Sequence, residues 1–358
     1  MASDDPGNRP RPSSGDLSCR GEDGLIQKLR EAARSADPQV IKGIGDDAAV
    51  IVSGVKTLVT TDLLIEDVHF RLPKTPPRRL GRKALGVNLS DIAAMAGTPR
   101  FALLGLACPP SFSTQLLDEI MAGFFERAKE AEVTLIGGDV VRGEKLALAV
   151  TVIGEATPPG PVYRSGARPG DLIFVTGTVG DSALGLMRLN QLIEPVTEEL
   201  IAADPLSGPI LRHLDPPARI AMGKRLAGVA TAMMDLSDGI MSDLGRLLEE
   251  SGGLGAEIET DKLPLSPAFR EHFGIKAEVG GRALWAALAG GEDYELIFTA
   301  PAADESRLMK IGADEGLGIT RIGVAKPEPG VRLMDSAGHE VVAPAAGFEH
   351  FSEEGEVP

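Results

Sequence analysis

The chain reads as an α+β protein of two domains, on three observations. Its 358 residues are more than one average domain needs. Short apolar strand patterns and 3.6-period helical patterns follow one another, with hairpin returns between them. A Pro- and Gly-rich stretch without periodicity, EATPPGPVYRSGARPGD, interrupts the series at about residues 155–170. The division that results is a leader over 1–20, an N-terminal domain over 21–157, a C-terminal domain over 158–350 and a tail over 351–358.

The elements follow in order. A first helix is expected over 21–36, stopped by Ala-Asp-Pro. Strands are expected over 48–52 and 56–61, the second ending in Thr60-Thr61-Asp62. LPKTPP breaks the chain, and a helix with small residues along one face runs over 78–95 until Gly97 and Pro99 stop it. An apolar strand over 101–108 precedes a helix over 114–131, in which Leu117, Ile120, Phe124 and Ala128 recur at helical spacing. A strand over 133–136 ends at Gly137-Gly138-Asp139, and a long strand over 146–154 returns beside it. After the break, DLIFVTGTVGDSALGLMRL gives strand, turn and helix. Residues 191–217 show no clear period. A helix over 218–226, a strand over 230–234 ending in DLSDG, a helix to about 250 and a helix over 281–289 follow, with strands over 257–259, 292–300, 319–324 and 331–335.

Composition narrows the function. A formal charge of −16 opposes a general nucleic-acid binder, which needs a cationic surface. It leaves nucleotide substrates open, because divalent cations invert a local field. The two cysteines, Cys19 and Cys108, make neither a disulfide framework nor a zinc cluster, and a reducing cytoplasmic setting is the expectation. No run approaches the 18 apolar residues of a membrane helix, and the N-terminus lacks the apolar segment of a signal peptide. Neither GxGxxG nor GxxxxGK[ST] occurs where the second half begins, which weakens the dinucleotide and P-loop readings.

Acidic residues at strand ends carry the chemistry. GIGDDAAV, VTTD, IGGDV and MMDLSDG each set Asp beside Gly, Thr or Ser at the end of an apolar run, and Asp91 adds a fifth in NLSDIAAMA. Any one of these is explained as a turn or a helix cap. Their repetition points instead to Mg²⁺, a hard cation that takes carboxylates together with substrate phosphates, and so to phosphoryl transfer from ATP. The adjacent pair Asp46-Asp47 is costly when buried without a cation. Thr60 and Thr61 offer hydroxyl or carbonyl oxygens, Ser237 a phosphate contact or a helix cap, and Arg164 a phosphate fork or a surface ion pair. His69 is a substrate contact or a structural histidine, and GGEDY an amine-binding loop or an acidic turn.

At these residues the chain resembles the thiamine-monophosphate kinase family, within the superfamily of aminoimidazole ribonucleotide synthetase and selenophosphate synthetase. GIGDDAAV, LVTTDLLIEDVHF, GRKALGVNLSDIAAMAG, IGGDVVRG, YRSGARPGD, TGTVGDSALGL, MDLSDGI and GGEDYEL occur in order, covering about 21–350. The resemblance implies an aminoimidazole ribonucleotide synthetase-like fold, with an N-terminal sheet domain that pairs in a homodimer and a C-terminal α/β domain. It implies several Mg²⁺ ions on Asp47, Thr60, Thr61, Asp62, Asp91, Asp139, Asp235 and Asp238. ATP contacts at Gly138, Asp139, Arg164 and Ser237 are implied likewise, as are thiamine monophosphate contacts at His69, Glu292 and Phe348. Where some members carry Asn, this chain has Asp139, and the aromatic some place near adenine is absent around Ala122 and Gly123.

The implied reaction moves the γ-phosphoryl group of ATP to thiamine monophosphate by direct in-line transfer, giving thiamine diphosphate and ADP. It needs no residue as general base or nucleophile, because the acceptor oxygen is already ionised, and it takes no nucleic-acid or membrane partner. The positive thiazolium would suit an acidic pocket near Glu292. Other ATP-dependent members of the superfamily, and a non-catalytic nucleotide- or metal-binding protein, are the competing readings. Selenophosphate synthesis fits poorly, since Cys19 lacks the Lys-containing context it uses.

Overall fold

A computed structural model describes residues 40–42, 46–52, 54, 56–275 and 280–342. The expected leader and first helix, Cys19, Phe348 and the tail lie outside the described residues.

In the first half, β1 (Val40–Lys42), β2 (Ala49–Val52), β3 (Lys56–Ile65), β4 (Gly97–Cys108), β5 (Thr134–Arg142) and β6 (Ala147–Ala156) form one sheet in the order β1-β2-β3-β6-β4-β5. Only the β4–β5 pair is parallel. Helices α1 (Pro77–Ala94) and α2 (Thr114–Glu130) connect β3 to β4 and β4 to β5. Pro77 starts α1, where its missing N–H removes no bond. Ser113 caps α2, its hydroxyl accepting the Leu116 N–H. Leu58, Leu85, Leu89, Ile92, Phe124 and Val152 share the core between sheet and helices.

The two helices approach unusually closely. A Cβ on Gly81 would lie 1.8 Å from the Ile120 carbonyl oxygen, and one on Gly123 would lie 1.9 Å from that of Arg78. Gly123 is therefore occupied by a helix crossing.

The second half builds a seven-stranded sheet from β7 (Leu172–Thr176), β8 (Ala232–Asp235), β9 (Gly255–Glu259), β10 (Leu296–Ala300), β11 (Ile319–Lys326), β12 (Gly330–Met334) and β13 (Glu340–Val341). Its order is β13-β12-β9-β11-β7-β10-β8, antiparallel except at β9–β12. Around it lie α3 (Asp181–Gln191), α4 (Glu198–Ala203), α5 (Ser207–Leu214), α6 (Ile220–Leu226), α7 (Ile240–Glu250), α8 (Pro267–His272), α9 (Gly281–Ala289) and α10 (Glu305–Glu315). Strand β8 is an edge strand yet wholly buried, because α1 from the other half packs against it.

Four elements differ from expectation. Strand β3 runs on to Ile65, paired with β6 over 57–65, so Thr60-Thr61-Asp62 lies inside it rather than at its end. Residues 191–217 contain α4 and α5, helices too short for a clear period. Gly137-Gly138-Asp139 lies inside β5 rather than at its end, opposite a register irregularity at Ala102 and Leu103. A Cβ on Gly138 would stand 1.9 Å from the Leu104 carbonyl oxygen, so glycine permits the strand to continue there. Residues 292–295 form a loop, and strand β10 starts at Leu296.

The seam between the halves rests on small residues at and just after the end of α1. Ala93, Ala94 and Ala96 bury against Phe174, Met222 and Phe298, and a Cβ on Gly223 would fall 2.1 Å from the Ala93 carbonyl oxygen. Gly223→Val is expected to lower stability by about 1–3 kcal/mol by forcing α6 off α1. Gly245→Ala, at a helix position facing open space, is expected to raise it by about 0.5–1 kcal/mol. Denaturant midpoints of the two variants check the pair.

Candidate active site

Strand β3 alternates its side chains across the sheet. Leu58, Thr60 and Leu64 are buried, Asp62 is half-buried, and Thr61 and Leu63 are exposed on the other face. Helix α1 lies on the buried face and meets it with polar groups: Asn88 Oδ1 accepts the Asp62 N–H at 3.0 Å, and Asp91 Oδ2 accepts the Thr60 hydroxyl. The Thr61 hydroxyl donates instead to the Val150 carbonyl, 3.1 Å away. Of the Thr-Thr-Asp motif, Thr60 and Asp62 thus share a face and Thr61 does not.

Asp235 ends β8 and is buried. The hydroxyl of Ser90, one residue before Asp91 on α1, donates to its Oδ2. Asp47 enters from the turn before β2 and receives a two-pronged bond from Arg164, Nε to Oδ2 at 3.0 Å and Nη2 to Oδ1 at 3.0 Å. Its neighbour Asp46 braces that turn: Oδ1 accepts the backbone N–H groups of Asp47 and Arg164, and Lys42 Nζ stands 3.3 Å from Oδ2.

Asp47, Asp91 and Asp235 come together, each offering a carboxylate oxygen within 4.8 Å of the other two. Burial, then the charges of Asp62, Asp235 and Asp47, pushes Asp91 well above the usual carboxylate range. Burial and Asp47 do the same to Asp235. Asp62 is pushed up to about 6 by burial, Asp238 and Asp47. Burial works against a charge on Arg164, but Asp47, Asp46 and Asp235 more than offset it and raise its pKa. Three oxygen donors with a surplus of negative charge suit a hard divalent cation such as Mg²⁺.

The rest of the DLSDG loop lies alongside. Asp238 pairs with Arg246. Asp243 caps α7 by accepting the N–H groups of Asp238 and Gly239. The helix cap position is Gly239, so Ser237 is not the N-cap, although its carbonyl accepts the Glu292 N–H at 2.7 Å. Gly138 and Asp139 stand apart on the edge strand β5. Leu104 aligns with Gly138 and, through Val150, with Asp62. Gly138 is therefore level with Asp62 but three strands away, about 14 Å at the usual strand spacing.

His69 accepts the Ile65 N–H at Nδ1, 3.1 Å away, which places the proton of the neutral ring on Nε2. Glu292 lies in the GGEDY loop with φ of 56°, its carboxylate 2.9 Å from Lys83 Nζ and 3.1 Å from His213 Nδ1. Burial pushes Glu292 upward, but Lys83 and His213 outweigh it and leave the group below its ordinary value. Lys83, Asn88, Ser90, His213 and Arg246 were not anticipated from the sequence. The polar residues inside the otherwise apolar helix of GRKALGVNLSD were the available signal for the first three.

The family model described as AIR synthase related protein, N-terminal domain, matches residues 45–156, and its C-terminal counterpart matches 168–336. A thiamine-monophosphate kinase of Salmonella typhimurium is 38% identical over 339 residues, covering 94% of this chain and 99% of that protein. One of Bacillus subtilis is 37% identical over 316 residues, covering 86% and 93%. A solved structure of AaThiL complexed with AMPPCP and TMP superposes with a TM-score of 0.79 at 34% identity, covering 95% of this chain and all of that one. The chain belongs to the thiamine-monophosphate kinase family, a family of two-domain AIR synthase related α+β enzymes. Among the described residues no helix is long and apolar enough to cross a membrane.

Burial, then the charge of Lys83, lowers His213 to about 4, with Glu292 opposing. A neutral buried histidine stabilises the fold fully above the unfolded value of about 6.5. That contribution is lost as pH falls toward 4, because the unfolded chain binds the proton first. His213→Gln is expected to flatten the fall in stability between pH 6.5 and 4 by up to about 3 kcal/mol. Denaturant unfolding across that range reads the difference between the two proteins.

Proposed function

We propose that the chain transfers the γ-phosphoryl group of ATP directly to the phosphate of thiamine monophosphate, yielding thiamine diphosphate and ADP. The observation that carries this reading is the meeting of Asp47, Asp91 and Asp235 at the seam of two domains that match such kinases over nearly their whole length. Mg²⁺ held by these carboxylates supplies charge neutralisation for the phosphate oxygens. Asp62, Thr60, Thr61, Asp139 and Asp238 are the further residues assigned to the metals by the family resemblance; Thr60 and Asp62 face the cluster, whereas Thr61 looks to the other sheet face and Asp139 lies apart on the edge strand.

The protein's own groups do the positioning. Arg164 holds Asp47 from both sides of its carboxylate. Ser90 and Thr60 hold Asp235 and Asp91. Gly138, Asp139, Arg164 and Ser237 are assigned to ATP, and His69, Glu292 and Phe348 to thiamine monophosphate. The Nε2–H of His69 can be given to an anionic oxygen. The acceptor phosphate is ionised at neutral pH, so no side chain has to remove its proton. The remaining task is to hold two anions in line against their repulsion.

A second copy of the chain is the proposed partner. Leu63 and Phe101, exposed by 48% and 43%, lie on the sheet face away from α1, and Val140 on the edge strand is exposed by 71%. Pairing of two such sheets would cover them. The cysteine content supports action in the cytoplasm.

A coupled ADP-release assay with Mg²⁺ tests the reaction. Thiamine monophosphate is expected to support turnover and an aminoimidazole ribonucleotide precursor to give none; the opposite pattern refutes the reading. Asp47→Asn is expected to lower kcat by about 10²-fold, and full activity of that variant at limiting Mg²⁺ would remove Asp47 from the metal site.

A further inference from the structure

Glu292 is held more elaborately than a contact residue on a loop requires. The Glu292 N–H donates to the Ser237 carbonyl and the Tyr294 N–H to the Leu236 carbonyl. These bonds fix Glu292 and Tyr294 at φ of 56° and 49°, the left-handed region that non-glycine residues seldom enter. Lys83 Nζ then pairs with Glu292 Oε1 at 2.9 Å, and His213 Nδ1, which also shares a hydrogen bond with the Ser182 hydroxyl, stands 3.1 Å from Oε2. Lys83 belongs to α1 in the N-terminal domain, whereas His213 belongs to α5 in the C-terminal one.

The exposures differ in a telling way. The side chain of Lys83 is only 2% exposed and that of His213 9%, but Glu292 keeps 29%. An ammonium buried so deeply is rare unless it is paired, and for stability alone an apolar pair would serve as well. The buried partners support the one member of the group that still reaches solvent. His69, the other residue assigned to the acceptor, acts electrostatically on the same carboxylate.

Lys83 also lies seven residues before Ser90 on α1, two turns along one face and about 10.5 Å away. Ser90 holds Asp235. One helix face thus fixes a carboxylate of the metal cluster at one end and Glu292 at the other.

We propose that Lys83 and His213 are positioning residues that set Glu292 as an oriented hydrogen-bond acceptor for an N–H donor of the acceptor substrate. This rests on Glu292 contacting that substrate. The positive charge of Lys83 offsets the negative charge of Glu292, so the pair recognises the substrate by direction more than by attraction for a cationic ring. The pocket is accordingly less acidic than its GGEDY sequence suggests.

The test compares the wild-type chain with Lys83→Met, Glu292→Gln and the double variant, reading the KM of thiamine monophosphate, the KM of ATP and the melting temperature. Lys83→Met is expected to raise the acceptor KM about tenfold or more and to leave that of ATP within about twofold. In the Glu292→Gln background the same change is expected to add less than about threefold. Lys83→Met alone should melt earlier, since it leaves the half-buried Glu292 carboxylate without its cation, and Glu292→Gln should restore the loss. An acceptor KM unmoved by Lys83→Met, an equal rise for both substrates, or full additivity in the double variant overturns the proposal while the kinase reading stands. Absence of thiamine monophosphate turnover by the wild-type chain overturns that reading and this proposal with it.

Discussion

Three carboxylates from three distant segments meet, Asp47 and Asp235 buried and Asp91 partly so, and like charges so placed repel strongly. Asp47 comes from a turn, Asp91 from a helix and Asp235 from a strand end of the other domain. The surroundings answer each in turn. Arg164 grips Asp47 with two parallel bonds, and the hydroxyls of Thr60 and Ser90 steady Asp91 and Asp235. These donors fix geometry without cancelling all the charge, which leaves the cluster with a surplus that a hard cation can neutralise.

Helix α1 makes that meeting possible. It is buried on most of its circumference, between its own sheet, α2 and the second domain. Its Asn88 ties down the backbone of β3, its Ser90 holds the end of β8, and its Asp91 joins the cluster itself. Where it meets α6, the contact is backbone against backbone, since Gly223 carries no side chain. At its start, Arg79 and Arg82, with Arg127 of α2, converge on Asp215 in the loop after α5. The two domains are thus tied at both ends of one helix, by charge at the first and by close packing at the last.

The sequence disclosed elements where period and punctuation agree. Helix α2 is legible from Leu117, Ile120, Phe124 and Ala128, and the strand end at Asp235 from the apolar run before DLSDG, whereas Asp62 and Asp139, read as strand ends, lie inside β3 and β5. It concealed what only chain crossing creates. Gly138 looks like a strand terminator, yet it is the residue that lets β5 continue past the Leu104 carbonyl. Ser237 looks like a helix cap, yet Asp243 and Gly239 do that work. Lys83 and His213 lie 130 positions apart and share no local pattern, so their convergence on Glu292 has no trace in either segment. Asp46 and Asp47 are adjacent and chemically identical, and only the direction of Arg164 separates the brace from the cluster member.

The alternation of β3 has a consequence for how this enzyme can change. Thr60 and Asp62 look toward the cluster, while Thr61 and Leu63 look toward the uncovered sheet face. Insertion or deletion of a single residue within the strand would exchange the two sets, sending the carboxylate outward and a leucine into the seam. The face toward the carboxylate cluster and the exposed sheet face are therefore written in alternate letters of one segment. Substitution can revise either text alone, but no shift in length can revise one without erasing the other.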